Sequence, residues 1–148
     1  MSNDVRLCWC GFWLPRPSHF CLREFESNDG TVVVSAGLVT SLELTRLALS
    51  RDVGEDVQIV ITSGTRSEAD NERLAGTLGW AENGGLVARD SRHLPRYGGI
   101  AVDLFARYQG VGGWILVSQQ DVAAACRRYF RYVKEDYQDG HVHADNRA

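Results

Sequence analysis

Apolar side chains recur along the chain at two spacings, one typical of helices and the other typical of strands. Largely apolar side chains recur three or four residues apart, as on one side of a helix, at Leu38, Leu42, Thr45 and Leu49. Leu44 and Leu47 widen this stripe. Gly54 follows this stripe and predicts the end of the helix. The β-branched and apolar run VQIVIT, residues 57–62, then predicts a buried strand.

Two serine–aspartate pairs mark the starts of further helices, because a serine oxygen and a side chain three residues later can cap a first turn. Ser67 with Asp70 begins one helix, and a glycine-bearing loop follows it over residues 79–92. Ser118 with Asp121 begins another helix near the end of the chain.

The remaining patterns predict strands. GIAVDLF, residues 99–105, alternates apolar side chains with polar or small ones, and residues 132–134 and 141–143 are short closing strands. Helices and strands are mixed with little βαβ repetition. We therefore expect an α+β fold, with a small mixed, mainly antiparallel sheet and flanking helices.

Residues 1–148 are expected to form a single domain, since no repeat, low-complexity tract or linker divides the chain. The composition, 44% hydrophobic and 24% charged, is typical of one soluble globular domain. Residues 1–25 are rich in aromatic side chains, and Pro15 and Pro17 interrupt regular structure there. We predict that they form an irregular N-terminal wrap over the core.

The charge pattern argues against two classes of partner. The net charge is -3, and the 15 arginines and one lysine are spread along the chain, so no basic patch for nucleic acid or anionic lipid is predicted. No apolar run approaches the roughly 18 residues of a membrane span. The N-terminus also lacks the basic start and apolar stretch of a secretion signal. We expect a monomer that is cytoplasmic as synthesised.

In the cytoplasm, cysteines are expected to be free thiols or metal ligands rather than partners in disulfides. Cys8 and Cys10 flank Trp9, and Cys21 follows, so these three thiols are candidates for a small zinc knot, although no CxxC pair occurs. Cys126 lies on the apolar face of the last predicted helix, where a buried and inert thiol is expected.

Two of the four histidines stand one residue apart in DGHVHADNR, residues 139–147. In an extended segment, His141 and His143 point the same way. His93 and Asp103 lie across a predicted turn, with two glycines that allow the next strand to pass close by. With one histidine of the pair, they form a set of two histidines and one carboxylate. That is the ligand type of a catalytic zinc, which keeps an open position for water.

The chemistry predicted by such a set is metal-assisted hydrolysis. Zinc lowers the pKa of a bound water to about 7 and polarises a carbonyl, while a base takes the proton and a cation steadies the oxyanion. Arg66, after the strand at 57–62, is a candidate for that cation, or for a bidentate grip on a substrate carboxylate. No HExxH helix, GxSxG elbow, Ser-x-x-Lys pair or P-loop competes with this interpretation.

At these residues the chain resembles the zinc D-alanyl-D-alanine carboxypeptidases and related phage cell-wall endopeptidases, which share a fold with the hedgehog signalling domain. The family pattern is a strand ending in SGYR, then SxHxxGxAxD, then a late HxH or acid-x-x-H. The matching residues here are, in chain order, Ser63, Gly64, Thr65, Arg66, Ser91, His93, Gly99, Ala101, Asp103, His141 and His143. FCLREFESNDG, residues 20–30, also resembles the segment before the first helix of the phage-type members.

The resemblance implies a hedgehog/DD-peptidase fold and a zinc ion bound by His93, Asp103 and His143. It also implies that Arg66 and Ser91 contact the substrate. The spacing from His93 to Asp103 is ten residues, against the usual seven, because LPRYG lengthens the turn between them.

The resemblance further implies that His141 is the catalytic partner of the bound water. Some branches of the family carry an acidic base three residues before the last ligand, where this chain has Gly140. Two residues therefore remain as candidate bases, His141 and Asp139.

The function implied is that of a zinc metallopeptidase that hydrolyses the peptidoglycan stem peptide, either as a D-Ala-D-Ala carboxypeptidase or as an endolysin-like endopeptidase. An enzyme of this kind without a secretion signal fits a phage, and would reach the wall through a holin or in a virion. The alternative is a zinc-stabilised, non-catalytic cell-wall or protein-binding module, against which Arg66 and His141 argue. The tryptophans are expected in the core and rim rather than on a sugar-binding platform, with Trp80 and Trp114 as candidates to border a cleft.

Overall fold

The structure, a computed structural model, describes residues 4–9 and 14–148. Within these residues the helices are α1 (Ala36–Val53), α2 (Glu68–Leu78) and α3 (Gln119–Arg127). The strands are β1 (Arg6–Trp9), β2 (Arg16–Cys21), β3 (Val57–Ser63), β4 (Ala101–Gly110), β5 (Gly113–Leu116), β6 (Tyr132–Lys134) and β7 (Val142–Asp145). Short 3-10 helices occupy Leu22–Phe25, Ala81–Asn83 and Pro95–Tyr97.

The main sheet is built around β4. Strand β3 pairs with one edge of β4, while β7 and β5 pair with the two halves of its other edge, and β6 pairs with β7. Every one of these pairings is antiparallel. The structure therefore confirms the predicted α+β class, with a mainly antiparallel sheet and flanking helices.

Alternation along β4 and β7 separates a core face from a polar face, because successive side chains of a strand point to opposite sides. The small and branched side chains of the core face are fully buried: Val102, Leu104, Ala106, Val142 and Ala144. They belong to one core cluster with residues of α1 and α3. Asp103 and His143, which occupy intervening positions, lie on the opposite face of the sheet.

Helix α1 confirms the predicted stripe in part. Ser35 Oγ accepts a hydrogen bond from the backbone N–H of Leu38 at its start, and Gly54 ends it in the left-handed conformation. Leu47, predicted to widen the stripe, is instead 38% exposed. Glu43 is fully buried in its place, because it accepts hydrogen bonds from the backbone and ring of His19.

The predicted helix starts at Ser67 and Ser118 are correct, since each serine oxygen accepts the backbone N–H three residues later. The side chain of Asp70 has other partners than a capping box would give it. The Asp70 carboxylate accepts hydrogen bonds from Ser27 and from the backbone of Asn28, so it ties α2 to the segment before α1.

The N-terminal segment differs from the predicted irregular wrap. Strands β1 and β2 form a two-stranded antiparallel sheet, in which Pro17 pairs with Cys8. Phe20 and Phe25 are buried in the main core, with ring centres 6.1 Å apart. The missing N–H of Pro17 does not exclude a strand there. Both strands of a two-stranded sheet are edge strands, which tolerate proline.

The cysteines of the described residues lie in different environments. Cys8 and Cys21 carry free thiols and join no group of three potential metal ligands within residues 4–9 and 14–148, whereas Cys10 lies outside the described residues. The zinc-knot prediction is therefore untested at one of its three positions. Cys126 is fully buried, as predicted, and burial raises the pKa of its thiol to about 12.

No helix in the described part of the chain is long and apolar enough to cross a membrane.

Candidate metal centre

Three potential ligand atoms converge on the polar face of the sheet. His93 Nε2 lies 3.1 Å from Asp103 Oδ1 and 3.2 Å from His143 Nδ1, and the last two atoms are 3.0 Å apart. The two imidazoles are buried and the Asp103 side chain is 13% exposed, so the group is accessible from one side. Among the described residues this is the one such group of histidine, cysteine and acidic side chains.

The register of the sheet places two of these side chains. Asp103 of β4 pairs with His143 of β7 on one side and with Ser63 of β3 on the other. Residues directly opposite on neighbouring antiparallel strands share a face, with side chains in contact distance. The ten-residue separation of His93 from Asp103 does not keep them apart, since a 3-10 helix at Pro95–Tyr97 takes up the added residues.

Close backbone packing holds His93 in place. The backbone N–H of Arg66 donates to the His93 carbonyl at 2.8 Å, and His93 Nδ1 donates to the Gly64 carbonyl at 2.6 Å. Gly64 itself has no room for a side chain, because a Cβ atom there would lie 2.6 Å from the Cα of Phe25. Gly99 is constrained in the same way, with a φ of +75° and a Cβ position 2.3 Å from the Val33 carbonyl oxygen.

The outer nitrogens of both histidines are hydrogen-bonded, and this sets the state of the inner ones. His93 Nδ1 donates to a carbonyl, and His143 Nε2 donates to the Asp145 carboxylate at 2.7 Å. Each neutral ring therefore turns an unprotonated nitrogen toward Asp103. A carboxylate or carbonyl behind each imidazole is the usual support of a histidine that binds a metal.

The residues present fit a zinc ion. Two ligands of a tetrahedral zinc with bonds of about 2.0 to 2.2 Å lie roughly 3.3 to 3.5 Å apart, close to the separations seen here. Three acceptor atoms that face one another at 3.0 to 3.2 Å need a cation or a proton between them. The chemistry and the spacing of the donors thus both suit a small divalent cation.

The pKa values of the cluster show how strongly it attracts positive charge. Burial raises the pKa of Asp103, but hydrogen bonding and charge interaction with the His143 and His93 rings in their protonated forms outweigh it and hold that pKa far below its usual range. Burial lowers the pKa of His143, but the hydrogen bonds to Asp103 and Asp145 raise it by more. Both shifts favour positive charge within the cluster.

His141 stands next to this cluster without belonging to it. It precedes β7, and its Nε2 lies 3.8 Å from Asp103 Oδ2. Its Nδ1 is hydrogen-bonded to Asp139 Oδ1 at 2.5 Å, and its backbone N–H also donates to that carboxylate. These bonds lower the pKa of Asp139, whose side chain is 72% exposed. The predicted convergence of both histidines on one point is thus seen, at Asp103.

Two residues that support His141 were missed from the sequence. The ring of Tyr137 stacks on His141, with ring centres 3.9 Å apart. Gln119, the first residue of α3, donates from its side-chain amide to the carbonyl oxygens of Tyr137 and His141. The stacking of Tyr137 on His141 depends on the turn between them, and the contacts of Gln119 join distant parts of the chain. Local sequence patterns therefore do not indicate them.

Asp145 was missed as well. Its fully buried carboxylate holds His143 on one side and accepts two hydrogen bonds from the Arg147 guanidinium on the other. Arg147 in turn lies over the Tyr132 ring, 3.6 Å from its centre. The i, i+2 spacing of His143 and Asp145 in a strand is a signal that could have identified this pair.

Arg66 lies in the connection between β3 and α2, one residue before Ser67. Its Nη1 donates to Asn71 Oδ1 at 3.3 Å, and within residues 4–9 and 14–148 no carboxylate forms an ion pair with it. Burial lowers the pKa of Arg66, and the Asp103 carboxylate partly offsets this. A half-buried guanidinium near the cluster is thus left available for an anionic group.

Ser91 occupies a turn rather than an obvious ligand position. Its hydroxyl accepts a hydrogen bond from the backbone N–H of His93 at 3.4 Å, and its carbonyl accepts one from Leu94. These bonds shape the loop that carries His93. The predicted contact of Ser91 with substrate stays a prediction.

No family model and no curated protein matches the chain. The chain is similar to a solved structure, the crystal structure of the Serratia marcescens L-Ala D-Glu endopeptidase ChiX, with 22% sequence identity and a TM-score of 0.46. The alignment covers 76% of this chain and 80% of that chain. At this level of similarity the function of the chain has to be argued from its own residues.

Proposed function

We propose that the chain is a zinc-dependent peptidase that hydrolyses the peptide stem of peptidoglycan. The observation that carries the proposal is the convergence of His93 Nε2, Asp103 Oδ1 and His143 Nδ1, with the outer nitrogen of each imidazole held by a hydrogen bond. When bound there, zinc supplies a Lewis acid for a carbonyl group and lowers the pKa of water to about 7.

His141 is the residue that moves the proton. Its Nδ1 is engaged by Asp139, so Nε2 is the nitrogen that faces Asp103 and the approaching water. In hydrolysis this nitrogen accepts the proton of the attacking water and returns it to the leaving amine as the C–N bond breaks. Asp139, with a lowered pKa, is the weaker base and acts by orienting the imidazole.

Arg66 is the cation of the site. The energy of burying its guanidinium without a carboxylate partner is best recovered when an anionic group binds, either a substrate carboxylate or the oxyanion that forms during the reaction. Tyr137 lies near Arg66 and Asp103. Burial and, to a smaller extent, the charge of Asp103 raise the pKa of its phenol to about 12. Its hydroxyl thus remains a hydrogen-bond donor at neutral pH.

The substrate class follows from the resemblance of the motifs that end at Arg66, Asp103 and His143 to those of the cell-wall peptidases. A metal-binding module without activity would not need the oriented pair of Asp139 and His141, whose Nε2 lies 3.8 Å from Asp103 Oδ2. The same pair distinguishes the two candidates experimentally, since the module predicts zinc without turnover.

The proposal is tested with protein purified without chelators. Elemental analysis is expected to find about one zinc per chain, and mass spectrometry of digested peptidoglycan is expected to find cleaved stem peptides. Zinc at that level without any cleaved peptide would favour the binding module. A protein with no zinc, even after reconstitution, would contradict the metal centre itself.

Replacement of Arg66 by alanine is expected to lower kcat/KM by about a hundredfold or more, the scale of one charge-assisted contact to a transition state. The zinc content and the thermal unfolding temperature should change little, because Arg66 makes one weak side-chain hydrogen bond in the free protein. Arg51→Ala, exposed in the last turn of α1, is the matched control. Equal kinetics in the two variants would show that Arg66 has only a structural role.

A further inference from the structure

A second cavity lies at the end of the sheet that is remote from the metal centre. Its volume is about 360 Å³. The cavity is open to solvent, and side chains from β2, α1, β3, β4 and β5 line it together with Glu24 and Asp56: His19, Phe20, Glu24, Arg46, Asp56, Val57, Gln58, Ile59, Gln109 and Trp114. We call it the Trp114 cavity. Nothing in the proposed peptidase reaction uses it.

Trp114 offers this cavity a flat apolar surface. Its side chain is 51% exposed, although an indole is usually more deeply buried. The Arg107 guanidinium covers the indole at 4.1 Å from the ring centre and is itself held by Gln58 Oε1 at 2.8 Å. Trp114 lines the cavity, whereas Arg107 does not. The ring is thus held in one orientation before any ligand binds.

The other walls of the cavity are polar and carry both signs of charge. His19 Nδ1 is bound to the buried Glu43, which leaves Nε2 for the cavity. Arg46 Nη1 donates to Asp56 Oδ1 at 3.1 Å, and the Asp56 side chain is 91% exposed. Glu24 adds a second carboxylate, one oxygen of which accepts the backbone N–H of Cys21. The walls thus offer several acceptors and one excess negative charge, which suits a neutral ligand with several hydroxyl groups better than an anion.

We propose that the Trp114 cavity binds a pyranose sugar, with the apolar face of the ring on the indole and the hydroxyl groups on Gln109, Asp56 and Glu24. The combination of one held aromatic plane with amide and carboxylate groups matches both surfaces of such a ring. If the proposed function is right, the sugar is an N-acetylhexosamine of the glycan strand. This last step rests on the proposed function, whereas the sugar site does not.

The position of the cavity suits a substrate that contains both sugar and peptide. Gln109 and Asp103 lie on the same face of β4, six residues apart, and strand geometry converts this into about 20 Å. An extended peptide of roughly six residues covers the same distance. One cell-wall fragment can thus place its peptide at the metal centre and its sugar in the Trp114 cavity.

The test uses chitotetraose, a β-1,4-linked tetramer of N-acetylglucosamine, in isothermal titration calorimetry with the full chain. The wild type is expected to bind it saturably, and Trp114→Ala to weaken binding by at least about tenfold, the loss expected when a central aromatic contact is removed. Trp80→Ala is the matched control, because Trp80 also carries an arginine at 4.1 Å from its ring centre but does not line the cavity. Its affinity should equal that of the wild type.

Two hydrolysis assays separate this proposal from the peptidase. Cleavage of a soluble, sugar-free stem peptide should be unchanged in Trp114→Ala, while cleavage of intact peptidoglycan should fall. Absence of chitotetraose binding, or equal binding by Trp114→Ala, would overturn the sugar site even if the peptide is cleaved. Chitotetraose binding without cleavage of either substrate would leave the sugar site standing and refute the peptidase. Loss of peptidoglycan cleavage with normal chitotetraose binding would assign Trp114 to another contact and overturn its role here.

Discussion

Replacing His143 with alanine is expected to abolish both zinc binding and hydrolysis. His143 Nδ1 is one of the three converging atoms, and its other nitrogen is anchored by the buried Asp145. Two remaining ligands form an incomplete site, so the several kcal/mol of transition-state stabilisation supplied by the metal should be lost, with kcat/KM falling by about 10⁴-fold or more. Elemental analysis and peptide cleavage measure the two effects.

Two further variants guard this result against simple misfolding. Asp103→Asn removes the shared carboxylate and should lose zinc in the same way, while circular dichroism reports the fold of both proteins. Asp145→Asn keeps all three ligand atoms but weakens the support of His143, so zinc affinity should drop by about 10- to 100-fold. A competition assay with a metal indicator that finds wild-type affinity in Asp145→Asn would contradict the role given to that buried carboxylate.

His141→Ala should separate catalysis from metal binding. The imidazole lies beside the cluster, 3.8 Å from Asp103 Oδ2, and contributes none of the three ligand atoms. Zinc content should therefore remain near that of the wild type, while kcat falls by roughly 10² to 10⁴, the usual contribution of a general acid or base. Loss of zinc from His141→Ala with retention in His143→Ala would reverse the assignment of the two histidines.

Asp139→Asn decides between the two candidate bases. An asparagine oxygen can still accept the hydrogen bond of the His141 ring, so orientation is largely kept while the charge is removed. The variant should lose less activity than His141→Ala. A loss as large as that of His141→Ala would make Asp139 the proton acceptor, and the lowered pKa of Asp139 argues for the first result.

The helices and strands were largely predictable because their signals lie within a few residues. Ser67 and Ser118 cap the N–H groups three positions later, and Gly54 closes α1 with a left-handed backbone. Each of these contacts is completed inside one turn of chain. Strand β4 was found for the same reason, although it continues to Gly110, beyond the predicted residue 105, because pairing with β3 and β5 supplies its later hydrogen bonds.

The burial of single side chains was less predictable, since it depends on which residues of another element pack against them. Leu47 has the spacing of a core residue and is exposed, whereas Glu43 is buried against His19, 24 residues earlier in the chain. Likewise, two prolines suggested irregular structure near the N-terminus, but Pro15 precedes β2, and the pairing of β2 with β1 does not require the missing N–H of Pro17.

By itself, the sequence determined the class of the fold, the starts and ends of the helices, and the identity of the residues from which a metal centre can be built, because period, capping chemistry and motif order are properties of neighbouring residues. The tertiary structure alone decided how those residues act. The pairing of Asp103 with His143 brought together atoms 40 residues apart in the chain. The Gly64 carbonyl and the Asp145 carboxylate then set which nitrogens of His93 and His143 face Asp103. His141, which is chemically identical to His143, received a different environment from Asp139 and Tyr137. Such differences arise from contacts in three dimensions, to which a pattern along the chain does not respond.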